Sequence, residues 1–475
     1  MVNPLRVKKL AQTILIALAA FLLPMSGWAK TYFVSLSGND NNAGTSAAPF
    51  ATLLKGVSVM APGDTLRVRQ GRYQQRLYVP LSGTASAPLT IKADEGVTLV
   101  DAINRQNIRV TGSNVNISGF KVSDSPLDCV LVEAGASNVV LSGLEVSNCR
   151  YHGVHIMGSN ITVENTKVTN ASLVNEDEKA LVSWSSGLKI AMGANNVTLR
   201  GNFVSENWGE GIALTRGVNI SVVSNVVVDN YSANIYVDNS VNVDVIRNMI
   251  YCTENPSVKR QGRIADGIAT AEEYYQGWGN RLANLRVLNN IVHSCLRGFS
   301  YSRTISSFAG SGGLRNTIVG QNTFYNIKRV GVFVNEAEET LLWFQNNLID
   351  AAGDFAYFED LNGGGPQGVM ADYNFWANGK PPFWENANGP NDVNNYDPIF
   401  VNGVPDFNVD SFRLAENSPA VDGGKYYSQV GPWHYDMQGN SRVPAGPNTA
   451  PDMGAHELSL EGNNWFDAQF VLPLD

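Results

Sequence analysis

Positive charge is scarce in this chain. Lysine and arginine number 34 against 43 aspartates and glutamates over 475 residues, a formal net charge of −9. A nucleic acid needs a cationic footprint, so it is excluded as the main partner. Cysteine is scarce too: Cys129, Cys149, Cys252 and Cys295 have none of the close pairings that hold structural zinc. No phosphate-cradling glycine loop, dinucleotide fingerprint or Ser–His–Asp arrangement is found. Beyond the first 29 residues no apolar run is long enough to span a bilayer, which excludes membrane insertion of the body of the chain. Helical periodicity is missing through the long middle of the sequence.

The N-terminus carries a different signal. Arg6, Lys8 and Lys9 precede an apolar stretch from Ile14 to Leu23, followed by Gly27 and Ala29 as small residues. This is the pattern of a secretory leader, residues 1–29, cleaved after Ala29. The expected destination is the periplasm or the exterior, an oxidising compartment where the cysteines can pair. Loss of the three leader cations takes the mature chain to −12.

The middle of the chain repeats. Apolar runs begin at Asn116, Asn138, Asn160, Asn196, Asn219, Asn242, Asn284, Asn316 and Thr340, at spacings of 22, 22, 36, 23, 23, 42, 32 and 24 residues. A base period of 22 to 24 with three expanded repeats signals a solenoid. Within one repeat, Val197 and Leu199, then Phe203 to Ser205, then Gly211 to Leu214 read as three short alternating strands separated by turns. Six positions after the repeat starts from Asn196 onward lie Asn202, Asn225, Asn248, Asn290, Asn322 and Asn346, which stacking would place above one another. Asparagine tolerates the left-handed backbone of a tight turn, and its amide can bond the next in a ladder. The fold class is therefore all-β, a parallel β-helix solenoid. Stacking also pairs Cys252 with Cys295, ten and eleven residues into consecutive coils, and, less closely, Cys129 with Cys149 at thirteen and eleven.

The ends differ from the middle. Pro49 to Met60 places Phe50, Leu53, Leu54 and Val57 on one helical face, an expected cap over the open N-terminal edge. Tyr32 to Ser35 through Gly71 to Tyr73 resembles the N-terminal segment of many bacterial right-handed parallel β-helix proteins. Asn417 to Gly423 and Asp452 to Glu457 resemble their closing segment. We expect residues 30–377 to form the β-helix with its cap. From 378 the period is lost, and 378–475 should form an irregular closing segment packed on the last coils.

A solenoid interior is filled, so chemistry must sit on an outer face. Insertions at Ser172 to Ser185 and Thr253 to Ala265 precede one strand type, and a third near Ser302 to Gly313 follows it. They would wall a cleft over that sheet. Alternation points His155, Lys189, Ala213, Thr215, Asn234, Tyr236 and Asp238 outward there. Trp208, Glu210 and Arg216 sit at the adjoining turns, Asp266 one coil further, and Trp278 beside the insertions. Cations on the floor with aromatic walls suit an anionic polysaccharide. We expect Trp208, Glu210, Asn234, Tyr236, Asp238, Asp266 and Trp278 to bind it.

Ser186-Gly187-Leu188-Lys189-Ile190 is similar to a strand of family 9 pectate lyases in which the lysine is the Brønsted base. The resemblance implies a lyase that breaks uronate polymers by β-elimination, with Lys189 as base and His155 and Arg216 supplying catalytic positive charge. It also implies Ca²⁺, but the aspartates that hold it in that family are not matched. The coil from Asn148 to His155 carries no carboxylate, and the nearest acids are Glu176, Asp177 and Glu178. The metal ligands stay unassigned. Two alternatives remain open: a glycoside hydrolase using Glu210 and Asp238 as paired carboxylates, and a non-catalytic carbohydrate-binding or surface protein. A monomer is expected.

Overall fold

The protein is described here from a computed structural model covering residues 29–458, apart from 101, 180, 192, 255, 274–281, 304–312, 336–340, 359–367, 378–388, 427–433 and 443–449. The leader and Trp278 lie outside the described residues. Among those described, no helix is long and apolar enough to cross a membrane.

Among the described residues the strands form three parallel sheets of 13, 11 and 13 strands, and except at the two ends each neighbour in a sheet lies three strands further along the chain. One circuit therefore adds one strand to each sheet. Asn195–Arg200 joins the first sheet, Phe203–Ser205 the third and Glu210–Thr215 the second. This is a right-handed parallel β-helix. Branched aliphatics suit a pleated surface buried on one side. Stacking sets them in columns: Val154, Leu188, Ile212, Ile235, Ile268, Phe299 and Val332 lie in register on successive strands of the second sheet, each fully buried.

Two asparagine ladders run along parts of the solenoid. The inner one comprises Asn202, Asn225, Asn248, Asn290, Asn322, Asn347 and Asn374, each amide donating to the next at 2.9–3.1 Å. The sequence placed Asn346 in this column. Gln345 pairs with Gly320, so Asn346 falls on the left-handed turn position (φ 58) and Asn347 takes the buried slot. The left-handed residue throughout is the one before the ladder asparagine, as at Gly201, Ser224 and Arg247. The outer ladder joins the repeat-start asparagines, among them Asn138, Asn160, Asn196, Asn242 and Asn284, at φ of 54 to 57. It begins at Asn114 rather than Asn116, because Val139 pairs with Val115.

Both disulfides are formed, Cys129–Cys149 and Cys252–Cys295, with Cα atoms 5.4 and 4.9 Å apart. The N-terminal cap is shorter than expected. Its helix spans Leu53–Ser58, with Thr52 accepting from the Lys55 amide. Leu53 and Val57 are buried while Leu54 is 68 % exposed, and Phe50 is fixed outside the helix by a bridge to Val34. The closing segment adds a strand, Val393–Asn394, to the third sheet. It also runs back along that sheet's outer face, where Phe400, Phe407 and Phe412 pack on Tyr251, His293 and Tyr325. The outer face of the third sheet is thus covered along much of its length.

Candidate functional site

The second sheet faces a groove. Its strands Val130–Val132, Val154–Ile156, Ser186–Ile190, Glu210–Thr215, Ala233–Asp238, Asp266–Glu272 and Arg297–Arg303 lie side by side. The two insertions entering this sheet meet along one rim. The Arg260 guanidinium, from the second, lies 5.4 Å from the ring centroid of Trp184, from the first. Trp208 stands on the same rim with its ring 6.0 Å from Tyr231. The insertion at the far side lies mostly outside the described residues.

On the floor, His155, Lys189, Ala213 and Tyr236 occupy one outward column on four consecutive strands. Ala213 leaves room for the Lys189 side chain, whose Nζ reaches across to Thr215 Oγ1 of the next strand at 2.8 Å. Burial holds the Lys189 ammonium below its ordinary pKa. Glu210, Asp238 and Glu273 act against that shift, and Arg216 adds to it. The Tyr236 hydroxyl donates to Glu273 Oε1 at 2.6 Å. Burial, with Asp238 and Glu273 nearby, keeps that phenol protonated far into the alkaline range.

Other expected residues fall differently. Asp238 points outward but is fully buried, accepting the Glu273 amide at 3.0 Å, and Glu210 is 4 % exposed, accepting from Ser186 Oγ. As carboxylates for a hydrolase both are shut from solvent. Asn234 is corrected outright. Gly153, Gly187, Gly211, Gly267 and Gly298 occupy the equivalent bend, where a side chain would enter the interior. Asn234 does enter: it is fully buried, accepts from Asn230 and faces the sulfurs of Cys252 and Cys295. Strict alternation fails at this bend. Asp266 sits at the entry end of its strand, 3.7 Å from Arg297, away from the Lys189 cluster. Arg216 is half-buried in a left-handed turn (φ 63) beside that cluster.

The coil just before Lys189, Asn148 to His155, carries no carboxylate, yet Asp128 supplies one from the coil before that. Its Oδ2 lies 3.3 Å from His155 Nδ1, and its Oδ1 accepts the His152 amide at 3.0 Å. His152 Nδ1 accepts the Ser186 amide at 2.9 Å, and the two imidazole centroids are 4.4 Å apart. The signal was the period: Val130 pairs with Val154, so Asp128 and His152 share a register position. Among the described residues this trio is the one group whose potential ligand atoms converge. It does not fit Ca²⁺, which takes six to eight oxygens. Two of the three side chains offer nitrogen, and an Nδ1 that accepts a backbone N–H leaves the proton of neutral His152 on Nε2. The loop acids do not fit either. Asp177 pairs with Arg150, and with Glu176 and Asp124 it borders a cavity of about 440 Å³ at the turn entering the groove sheet.

Comparison with known proteins follows this architecture. Residues 32–231 match the family described as the Pel9A-like right-handed β-helix region. An uncharacterised protein of Bacillus subtilis, YwoF, is 29 % identical over 27 % of this chain and 25 % of its own length. Pectate lyase PEL9 of Emericella nidulans is 35 % identical over 15 % of this chain and 18 % of its own. The chain thus spans a quarter or less of these curated relatives. The crystal structure of pectate lyase Pel9A superposes with a TM-score of 0.51 and 18 % identity, covering 90 % of this chain and 96 % of that one, a likeness of fold. With three parallel sheets wound in register and that family match over residues 32–231, the chain is a right-handed parallel β-helix protein.

Proposed function

We propose that this is an exported polysaccharide-active protein that cleaves a uronate-containing polymer by β-elimination in the groove of the second sheet. The observation that carries the reading is Lys189: an amine half-buried on the groove floor, flanked by Arg216 and bonded to Thr215. A base must be neutral to accept a proton, and burial favours the neutral amine. Neutral Nζ takes the proton α to the uronate carboxylate. The electron pair left behind forms the new double bond as the bond to the β-oxygen breaks, and the departing oxygen takes up a proton. In this reading Arg216 offsets the substrate carboxylate, whose charge grows as the α-proton leaves. The local relative that is a pectate lyase, and the family match spanning Lys189, support the same chemistry.

The test is incubation with a panel of uronate polymers, following the ultraviolet absorbance of unsaturated products. Lys189→Ala should lower turnover at least about 100-fold, with circular dichroism, melting and most of the binding retained. Retention of full activity in Lys189→Ala would remove the mechanism. Binding without product in the wild type would leave a carbohydrate-binding protein instead.

A further inference from the structure

A basic cluster sits at the other end of the groove, in a chain that is acidic as a whole. The segment Lys259-Arg260-Gln261-Gly262-Arg263 turns tightly, with Gln261 at φ 52 and Gly262 at φ 79, and a bridge joins Arg260 to Arg263. Two left-handed residues in succession make the narrow turn that sets flanking side chains together. Arg297 follows one coil later, in register with Asp266, and Arg329 one coil later again, beside Val330, which pairs with Arg297. All four guanidinium groups act on the Asp266 carboxyl, yet burial still holds its pKa above the ordinary value. Its Oδ1 is buried and makes no hydrogen bond to the described residues. One carboxylate, itself reluctant to ionise, cannot neutralise four cations.

Apolar rings back the cluster. The Arg297 guanidinium lies 4.3 Å from the ring centroid of Phe333, and Arg260 flanks Trp184, a residue 55 % exposed. Guanidinium forks bind carboxylates in a bidentate way, and an open indole face accepts a sugar ring. Arg297 lies four strands beyond the strand of Lys189, which at about 4.8 Å per strand is roughly 19 Å. A polymer lying across the strands spans that distance with several sugar units.

We propose that Arg260, Arg263, Arg297 and Arg329, reached along the rim past Trp184, form a distal subsite that holds carboxylates of the same polyuronate chain whose reacting unit lies at Lys189. This rests on the elimination reading for the occupant of the near end. The subsite makes affinity depend on chain length and on salt.

The experiment uses the exposed pair, Arg263→Gln with Arg329→Gln, and measures affinity for a long polyuronate, a two-sugar uronate oligomer and a neutral polysaccharide across a salt series. The expected result is a roughly tenfold loss for the long chain at low ionic strength, closing at high salt as screening takes over. The two-sugar oligomer, too short to span the groove, should keep its affinity. Arg297→Lys is the second variant: it retains charge but loses the fork, and should weaken long-chain binding less than Arg297→Gln. Unchanged long-chain affinity in the double variant overturns the subsite. An equal loss for long and short chains also overturns it. If the wild type binds long chains in this salt-dependent way but releases no unsaturated product, the subsite stands and the elimination reading falls. If product forms and the double variant binds as the wild type does, the reverse holds.

Discussion

The two asparagine ladders use one residue type for opposite purposes. The inner ladder is dry. Asn248 donates to Asn290 Oδ1 and to two carbonyl oxygens, and its own oxygen accepts both the backbone and side-chain N–H of Asn225. It closes the hydrogen bonds of a turn that no water reaches. The outer ladder is wet: Asn242 is exposed, and what the position demands is a backbone at φ 57. So stacking makes ladders, but the reason for the residue differs: amide chemistry inside, backbone tolerance outside.

The largest effect that separates the two comes from Asn248→Asp. The carboxylate loses both donors and places a charge against Asn290 Oδ1 where solvent is absent. We expect a loss of at least about 3 kcal/mol near neutral pH, and of about 2 kcal/mol for Asn248→Ala. Because solenoid stability passes through neighbouring coils, hydrogen exchange should rise in the coils of Asn225 and Asn290 as well. Protection lost at Asn248 alone would mean that the ladder does not act as a unit.

The outer faces of two sheets differ in a related way. The groove face leaves Lys189 partly open, whereas the closing segment covers His293 on the third sheet, stacked on Tyr325 and edged by Phe407 and Phe412. Burial, with help from Lys328 and against Asp406, pushes the His293 pKa down to about 4. The unfolded chain protonates this group near pH 6.5 while the folded one does so near 4. Its contribution is therefore intact above about pH 7 and is lost as pH falls between those values. The full loss is on the order of 3 kcal/mol. The wild type should lose more stability between pH 7.5 and 4.5 than His293→Phe. Parallel pH profiles in the two proteins would show that the tail leaves His293 hydrated.

Much of the fold was legible because the solenoid writes its register into the sequence as a period. The alternation that turns Ala213 and Tyr236 outward leaves Ile212 and Ile235 in the core, and stacking gave the Cys252–Cys295 pairing. The errors came where local geometry departs from the period or from alternation. One extra residue between Asn322 and Asn347 moved the ladder off Asn346. The bend at Asn234 turned an outward residue inward. The site was less legible. Asp128 belongs to a different repeat from His155, so scanning a single coil for carboxylates could not find it. That Asp238 and Glu210 are shut from solvent depends on groups reaching from other strands and turns, as the Glu273 backbone N–H and the Ser186 hydroxyl do.

The smallest expected effect is the most specific to the comparison. At Asn242 the side chain donates to Asn219 and accepts from Asn284, both at the exposed surface, where water replaces either bond at little cost. What cannot be replaced is the left-handed backbone, which costs a residue with a β-carbon about 1–2 kcal/mol and glycine almost nothing. Asn242→Gly should therefore shift stability by less than about 0.5 kcal/mol, while Asn242→Ala should lose about 1 kcal/mol. The inner ladder inverts the order: at Asn248, glycine should be at least as damaging as alanine, because both remove the amide and glycine adds backbone freedom to the unfolded chain. Equal losses for glycine and alanine at Asn242, read from chemical denaturation, would mean that the outer ladder is held by its amides as well.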